Sequence, residues 1–124
     1  MREASEPRAA TPPKVPVQRL TLGASLSTPA PIETEIAELA ASLSHPARVQ
    51  ILRILLRKGP ITVSELVREL PQAQSTVSEH LRVLREAGMV TARKQGRHTR
   101  YEGAPLALRR LSSLLAGVAV SVAR

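Results

Sequence analysis

The sequence has 124 residues, the length of one domain, and 18 Lys and Arg against 10 acidic residues give it a net charge of +8. All the acids are Glu, and the absence of Cys excludes disulfides, thiolate metal sites and cysteine nucleophiles. The basic excess favours a polyanionic partner, because Lys and Arg that neutralise phosphates release counterions. Tyr101 is the single aromatic residue, which disfavours a protein that binds single strands or RNA by stacking bases on exposed rings. Double-stranded DNA is therefore the expected partner.

The first 31 residues differ in composition from the rest of the chain. They hold six of the ten prolines among Ala, Ser and Thr, and they show no helical or strand periodicity. We expect residues 1–31 to form a disordered, Pro-rich tail, with a short basic arm against the DNA backbone as the open alternative. Residues 32–124 are then the folded domain.

Neither an export signal nor a membrane span is expected. Residues 1–31 lack a continuous apolar stretch, and the apolar run at 111–122 is shorter than the roughly 20 residues that a membrane-spanning helix needs. A cytoplasmic protein without a membrane partner is predicted.

Apolar periodicity predicts two helices at the start of the domain. The first is expected over residues 33–43, where Glu side chains favour the helix start. The second is expected over 46–58, with Pro46 in its first turn and Gly59 followed by Pro60 as its stop.

A helix-turn-helix is predicted next. Residues 61–62 fit a short strand, and Thr62 with Glu65 fits a capping box that begins a third helix over 63–70. A brief turn then leads to a fourth helix over 74–87. Two short helices joined so closely form a helix-turn-helix.

The last part of the chain predicts a hairpin and a helix. Residues 90–94 and 99–102 flank a Gly-containing connection, and Pro105 begins the final helix. The predicted fold is mainly α with a small β-hairpin, a winged helix-turn-helix in the order α-α-(β)-α-α-β-β-α.

The fourth helix carries side chains suited to DNA. If Val77, Leu81 and Leu84 face the core, short hydroxyls, Gln and Arg cover the other side. Short hydroxyls allow close approach, Gln hydrogen-bonds adenine, and Arg bonds guanine or phosphate. For this helix alone, an ordinary solvated face explains the pattern equally well.

The hairpin changes that balance. Its cations surround the glycine turn beside His98, where they could hold the DNA backbone as a wing. A solvated basic surface is the alternative, but the position directly after a helix-turn-helix favours the wing. The wing cations are Arg93, Lys94, Arg97 and Arg100.

Four stretches resemble the ArsR/SmtB family of bacterial winged-helix transcription regulators: HPARVQIL, SELVREL, QSTVSEHLRVLREAGMV and GRHTRYE. The resemblance covers about residues 33–118. It implies a homodimeric repressor that binds a near-palindromic operator, with the first and last helices as the dimer interface. It assigns base reading to Gln74, Ser75, Thr76, Ser78 and His80, a phosphate contact to Arg82, and the tip of the wing to Arg97. From that position we predict that Arg97 holds phosphate. The candidate interface residues are Ile36, Leu39, Leu43, Leu111, Leu115 and Val118.

The sequence departs from that family at its metal sites and at one helix cap. Metal sensors often carry Cys-Val-Cys where this chain has Thr62-Val63-Ser64, and the last helix has neither His nor acid. The three histidines lie in elements distant along the chain, so we expect no metal site, and the sequence assigns no effector. Ala73 replaces a capping Ser, so the fourth helix is expected to begin less firmly.

Enzymatic chemistry finds no support in the sequence. No Ser lies in a nucleophile elbow, and the glycines form no phosphate-binding loop, so neither catalysis nor a cofactor is expected. We favour a sequence-specific regulator of transcription that binds double-stranded DNA, most simply a repressor. The alternative is a dimeric protein-interaction module whose basic surface is nonspecific.

Overall fold

The helices and strands follow one another in the predicted order. A computed structural model describes residues 28–123, with side chains through residue 120. The described elements are α1 (Pro31–Ser42), α2 (Pro46–Lys58), β1 (Ile61–Thr62), α3 (Val63–Val67), α4 (Gln74–Glu86), β2 (Val90–Gln95), β3 (His98–Gly103) and α5 (Pro105–Ala123). The prediction of a mainly helical, winged helix-turn-helix fold is confirmed.

The structure describes only part of the predicted N-terminal tail and all but the last residue of the predicted domain. The predicted tail lies outside the described residues except for 28–31, and Pro31 already belongs to α1, which begins two residues earlier than predicted. Among the described residues, no helix is long and apolar enough to cross a membrane.

Local capping sets the starts of α2 and α3. His45 precedes Pro46, and its Nδ1 accepts a hydrogen bond from the Ala47 amide at 3.2 Å. At α3, the Glu65 amide donates to Thr62 Oγ1 at 3.2 Å, while the Thr62 amide donates to the Glu65 carboxylate at 2.9 Å. The predicted capping box is therefore confirmed.

The predicted third helix is too long by three residues. α3 ends at Val67, and Glu69 and Leu70 continue it as a turn in which each amide donates to the carbonyl three residues earlier. Such tight turns are common where an α-helix ends, and the proline at 71 disfavours helical backbone at the residue before it.

Three antiparallel strands form the sheet, in the order β1-β3-β2. β1 pairs Ile61 with Tyr101, and this pairing joins the helix-turn-helix to the hairpin. The β2 and β3 strands are longer than predicted, so Gly96 and Arg97 alone form the connection. Gly96 has φ of 64°, a backbone conformation that glycine adopts without steric cost.

The core joins all the helices. Ile51 and Leu55 of α2 pack with Leu66 of α3 and Leu81 and Leu84 of α4. Leu39 of α1 and Leu111 of α5 are also buried, at 8% and 7% exposure. Both were predicted to lie in the dimer interface, and that prediction needs correction because the core of a single chain already covers them.

Candidate nucleic-acid interface

α4 separates an apolar face from a polar face along its whole length. Val77, Leu81 and Leu84 are buried. At about 100° of rotation per residue, the opposite side of the helix is formed by residues that are all exposed. They are Ser75, Glu79, Arg82 and Glu86. The second helix of the helix-turn-helix thus presents a continuous polar surface.

Four of the five predicted base-reading residues lie together at the N-terminal end of α4. Gln74, Ser75, Thr76 and Ser78 are all exposed within the first five residues of the helix. Ala73 occupies the N-cap position, with φ of −70° and ψ of 158°, and makes no side-chain cap bond. Three of these side chains are short hydroxyls, which allow close approach of a partner.

Arg82 is held by carboxylates of its own helix. Its guanidinium donates to Glu79, with Nε 3.1 Å from Oε1, and Nη1 lies 2.7 Å from Glu86 Oε2. These hydrogen bonds raise the pKa of Arg82, and the same bond to Arg82 lowers the pKa of Glu79. Arg82 therefore neutralises two carboxylates on the exposed face of α4, and a phosphate contact requires it to exchange or share a partner.

The wing cations lie on both faces of the hairpin. Arg93 and Arg100 are directly opposite each other across β2 and β3, whereas Lys94 is opposite Thr99 on the other face. Each arginine of the like-charged pair faces a carboxylate: Arg93 lies 3.8 Å from Glu102, and Arg100 lies 3.6 Å from Glu65. Arg97 lies at the tip of the hairpin and is exposed to solvent. The predicted wing is thus one hairpin, but its four cationic side chains are divided between the two faces and the tip and do not form a single surface.

An open depression lies between α4 and the wing. Ser78, Arg82 and Arg85 line it from α4, and Tyr101 lines it from β3. Arg85 was not among the predicted contact residues, although its spacing of seven residues from Ser78 places both on the same side of the helix. The depression marks the flank of α4 that faces the wing.

His80 lies away from the surface where it was predicted to read bases. Its side chain is only 8% exposed, and its ring centroid lies 4.7 Å from that of His45. Burial lowers the pKa of His80, and the electrostatic effects of the neighbouring His45 and Arg48 lower it further, against an opposing effect of Glu79. The base-reading role is corrected to one of packing between α4 and the start of α2.

The histidines are not all as distant as the sequence suggested. His45 and His80 come from different elements but touch, while His98 remains exposed on the hairpin. Within residues 28–120, no group of three or more histidines and acids lies close enough to hold a metal ion. The contact between the two rings depends on tertiary packing, and the sequence carries no local signal for it.

Comparison with protein families gives one match for this region. The model for the bacterial regulatory proteins of the arsR family matches residues 45–92, which include the helix-turn-helix and most of β2. The arsenical resistance operon repressor of Escherichia coli is 38% identical over 58 residues, covering 47% of this chain and 50% of that protein. An HTH-type transcriptional regulator of Methanocaldococcus jannaschii is 43% identical over 49 residues, covering 40% and 55%. The chain spans about half the length of these curated relatives.

Solved structures extend the similarity to most of the domain. An ArsR-like transcriptional regulator from Rhodococcus sp. RHA1 has a TM-score of 0.68 and 30% identity, over 73% of this chain and 85% of that one. The transcriptional repressor BigR from Xylella fastidiosa has a TM-score of 0.55 and 32% identity, over 67% and 85%. These proteins are named as regulators, in agreement with the prediction that this chain is not an enzyme.

Proposed function

This chain belongs to the arsR family of bacterial regulatory proteins, and we propose that it regulates transcription by binding double-stranded DNA in a sequence-specific manner. The observation that carries the proposal is the exposed N-terminal end of α4, where Gln74, Ser75 and Ser78 lie together. An α-helix is about 10–12 Å across with its side chains, which matches the major groove of B-DNA, about 12 Å wide.

Base reading is assigned to the small and amide side chains of this end. Gln74 can form two hydrogen bonds to adenine, and the hydroxyls of Ser75 and Ser78 can donate to or accept from base edges. Thr76 lies on the flank of the same turn and adds a methyl group that can contact thymine. Their proximity supports a recognition helix whose first turns enter the groove.

Backbone contacts are assigned to the wing. Arg97 at its tip is exposed, and so is Lys94, which lies on the same face of the hairpin as Tyr101. Arg93 and Arg100 contribute more weakly, because each already faces a carboxylate. Arg82 joins them by sharing its guanidinium between a phosphate and Glu79.

We further propose that the active species is a homodimer joined through α5 and α1. Leu115 and Val118 continue the helical stripe of the buried Leu111, yet they are 49% and 45% exposed in the single chain. An apolar stripe that extends past its own core supports pairing with a second copy. Ile36 and Leu43 are partly buried beside that core and stay at the edge of the proposed interface.

The proposed action is repression without a classical metal site. A dimer that occupies a promoter excludes RNA polymerase sterically, and this requires no catalysis. The 124-residue sequence contains no cysteine, so thiolate ligands are not available to it. We expect DNA affinity to be the same with a chelator and with added zinc, whereas stoichiometric release of DNA by zinc would contradict this part of the proposal.

Selection of bound fragments from genomic DNA tests the proposal as a whole. The expected result is a near-palindromic sequence whose half-site centres lie about one helical turn apart, or a multiple of it. Gel shifts at low and moderate salt then compare that duplex with a scrambled one. If both duplexes bind equally at every salt concentration, the protein-interaction module with a nonspecific basic surface becomes the better account.

A further inference from the structure

Two histidines and one arginine lie close together on the flank of α4 that faces away from the wing: the rings of His45 and His80 touch, and Arg48 is near enough for its charge to lower the pKa of His80. His45 lies in the turn before α2, Arg48 in the first turn of α2, and His80 in α4. The two imidazole rings are 4.7 Å apart and inclined by 54°, and Arg48 Nη2 lies 3.5 Å from the hydroxyl of Ser44. We call His45, Arg48 and His80 the histidine-arginine cluster.

The cluster and the wing stand on opposite sides of the exposed face of α4. Ser78 lines the depression beside Tyr101, while His80, two residues later and about 200° further around the helix, contacts His45. A duplex that receives α4 in its major groove presents one phosphate backbone on each side of that helix. In the proposed DNA complex the wing lies on the side of one backbone, which leaves the cluster on the side of the other.

Two nitrogen atoms of the cluster are buried without a hydrogen-bond partner. His80 is more than nine-tenths buried, and its Nδ1 and the Nε of Arg48 have no hydrogen-bond partner within the described part of the chain. His45 Nδ1 already accepts from the Ala47 amide, so in the neutral ring the proton sits on Nε2, and His45 is exposed. Buried polar groups without partners cost free energy, and a neighbouring negative charge offsets that cost.

The signs of the surrounding charges favour an anion over a metal cation. His45 and Arg48 both disfavour positive charge on His80, and a metal ion would meet the same repulsion. The nearby carboxylate, Glu79, is hydrogen-bonded to Arg82 of its own helix. A phosphate supplies oxygen acceptors and negative charge together, which is what the cluster lacks.

We propose that the histidine-arginine cluster binds a backbone phosphate of duplex DNA on the side of α4 opposite the wing. This inference rests on the proposed function. The Arg48 guanidinium and the His45 Nε2 proton contact the phosphate oxygens, and His80 is a positioning residue that supports the His45 ring from the core side. The wing and the cluster would then contact the two phosphate backbones that flank the major groove, with α4 between them.

The test compares salt dependence among matched variants on the selected duplex. Arg48→Gln removes the charge, and His45→Asn removes the Nε2 donor while keeping a side-chain oxygen able to cap α2. Arg53→Gln is the control, since Arg53 is exposed on the same helix and carries the same charge. Arg97→Gln reports on the wing. Circular dichroism establishes that each variant is folded at the temperature of the binding measurement.

Arg48→Gln is expected to reduce the slope of log K against log salt by about 0.9 per protomer. If the two proteins bind equally at 1 M salt, this corresponds to about an eightfold loss of affinity per protomer at 0.1 M salt. The loss should be equal for the selected and the scrambled duplex, because phosphate contacts carry no sequence information. His45→Asn should weaken binding in the same uniform way. Arg53→Gln should change neither the slope nor the ratio of the two affinities.

A scan with single neutral methylphosphonates in the selected duplex first maps the sensitive phosphates with the unmodified chain, and repeating it with the folded variants Arg97→Gln and Arg48→Gln assigns them. We expect two groups of sensitive phosphates in each half-site: a wing group whose effect disappears in Arg97→Gln, and a second group whose effect disappears in Arg48→Gln. If only the wing group is sensitive, or Arg48→Gln matches Arg53→Gln, the cluster proposal fails while the proposed function stands. If the unmodified chain prefers no duplex over another, the proposed function fails as well.

Discussion

The exposed faces of α4 and α5 differ in chemical character. The apolar side of α4 is fully covered, with Val77 and Leu84 at 0% exposure, and its solvent side is polar. The apolar stripe of α5 is covered at Leu111 but open at Leu115 and Val118. α4 is thus packed within one chain and exposes a polar face, whereas α5 leaves part of its apolar stripe exposed. The proposed DNA-binding surface and the proposed dimer surface therefore belong to two different helices.

A charge placed in the covered part of α5 should have the most severe consequence for the chain. Leu111→Glu buries an unpaired carboxylate and is expected to cost more than about 4 kcal/mol, a large share of the stability of a small domain. The expected result is unfolded protein, as measured by circular dichroism and urea titration. A variant that stays folded and becomes monomeric would instead restore Leu111 to the dimer interface.

The open part of the same stripe gives the next largest effect. Leu115→Glu is expected to leave each chain folded and to weaken the dimer by roughly 1.5–3 kcal/mol, since each of two half-exposed leucines loses about half of the 1.5–3 kcal/mol that full burial contributes. That change raises the dissociation constant more than about 10-fold. Sedimentation over a range of protein concentrations measures it.

Leu106→Glu is the matched control for that variant. Leu106 is 73% exposed and lies half a turn away from Leu115 around α5, so the same charge there should leave the dimer intact. If both variants remain dimeric while folded, the interface lies elsewhere.

Particular residues show how far the sequence predicts this fold. The bounds of α2 were predicted correctly, because Pro46 and the Gly59-Pro60 stop act within a few residues of the helix ends. The capping box of α3 is equally local. Helix and hairpin signals of this kind, together with the family resemblance, were enough for the fold class.

The features that the sequence could not predict depend on contacts across the fold. Periodicity places Leu111 and Leu115 on one stripe but does not reveal where the core of a single chain ends. The spacing along α4 puts His80 on a flank, yet its burial follows from His45 in another element. Arg82 was predicted as a phosphate contact, and its bonds to Glu79 and Glu86 require side-chain conformations that a pattern does not contain.

The polar face of α4 is tested by smaller changes at its N-terminal end. Gln74→Ala and Ser78→Ala should each cost about 1–3 kcal/mol of binding to the selected duplex and relax the preference at one position in each half-site. Both residues are exposed, so the free energy of unfolding should change little. Quantitative gel shifts with single-base variants of the operator measure the effect. Unchanged base preference in both variants would remove α4 as the reader.

The smallest expected effect concerns how the two helices of the helix-turn-helix begin. Thr62 caps α3 through its hydroxyl, whereas Ala73 has the extended backbone of an N-cap but no side-chain acceptor for the first amides of α4. Ala73→Ser should therefore stabilise the domain by about 1 kcal/mol, and Thr62→Ala should destabilise it by a similar amount. For a domain of this size, 1 kcal/mol corresponds to a change in Tm of about 4–8 °C, which thermal unfolding without DNA resolves. If Ala73→Ser leaves Tm unchanged while Thr62→Ala lowers it, water already satisfies the first amides of α4 as well as a hydroxyl does. The start of this helix is then held by the packing of Val77 and Leu81 rather than by its cap.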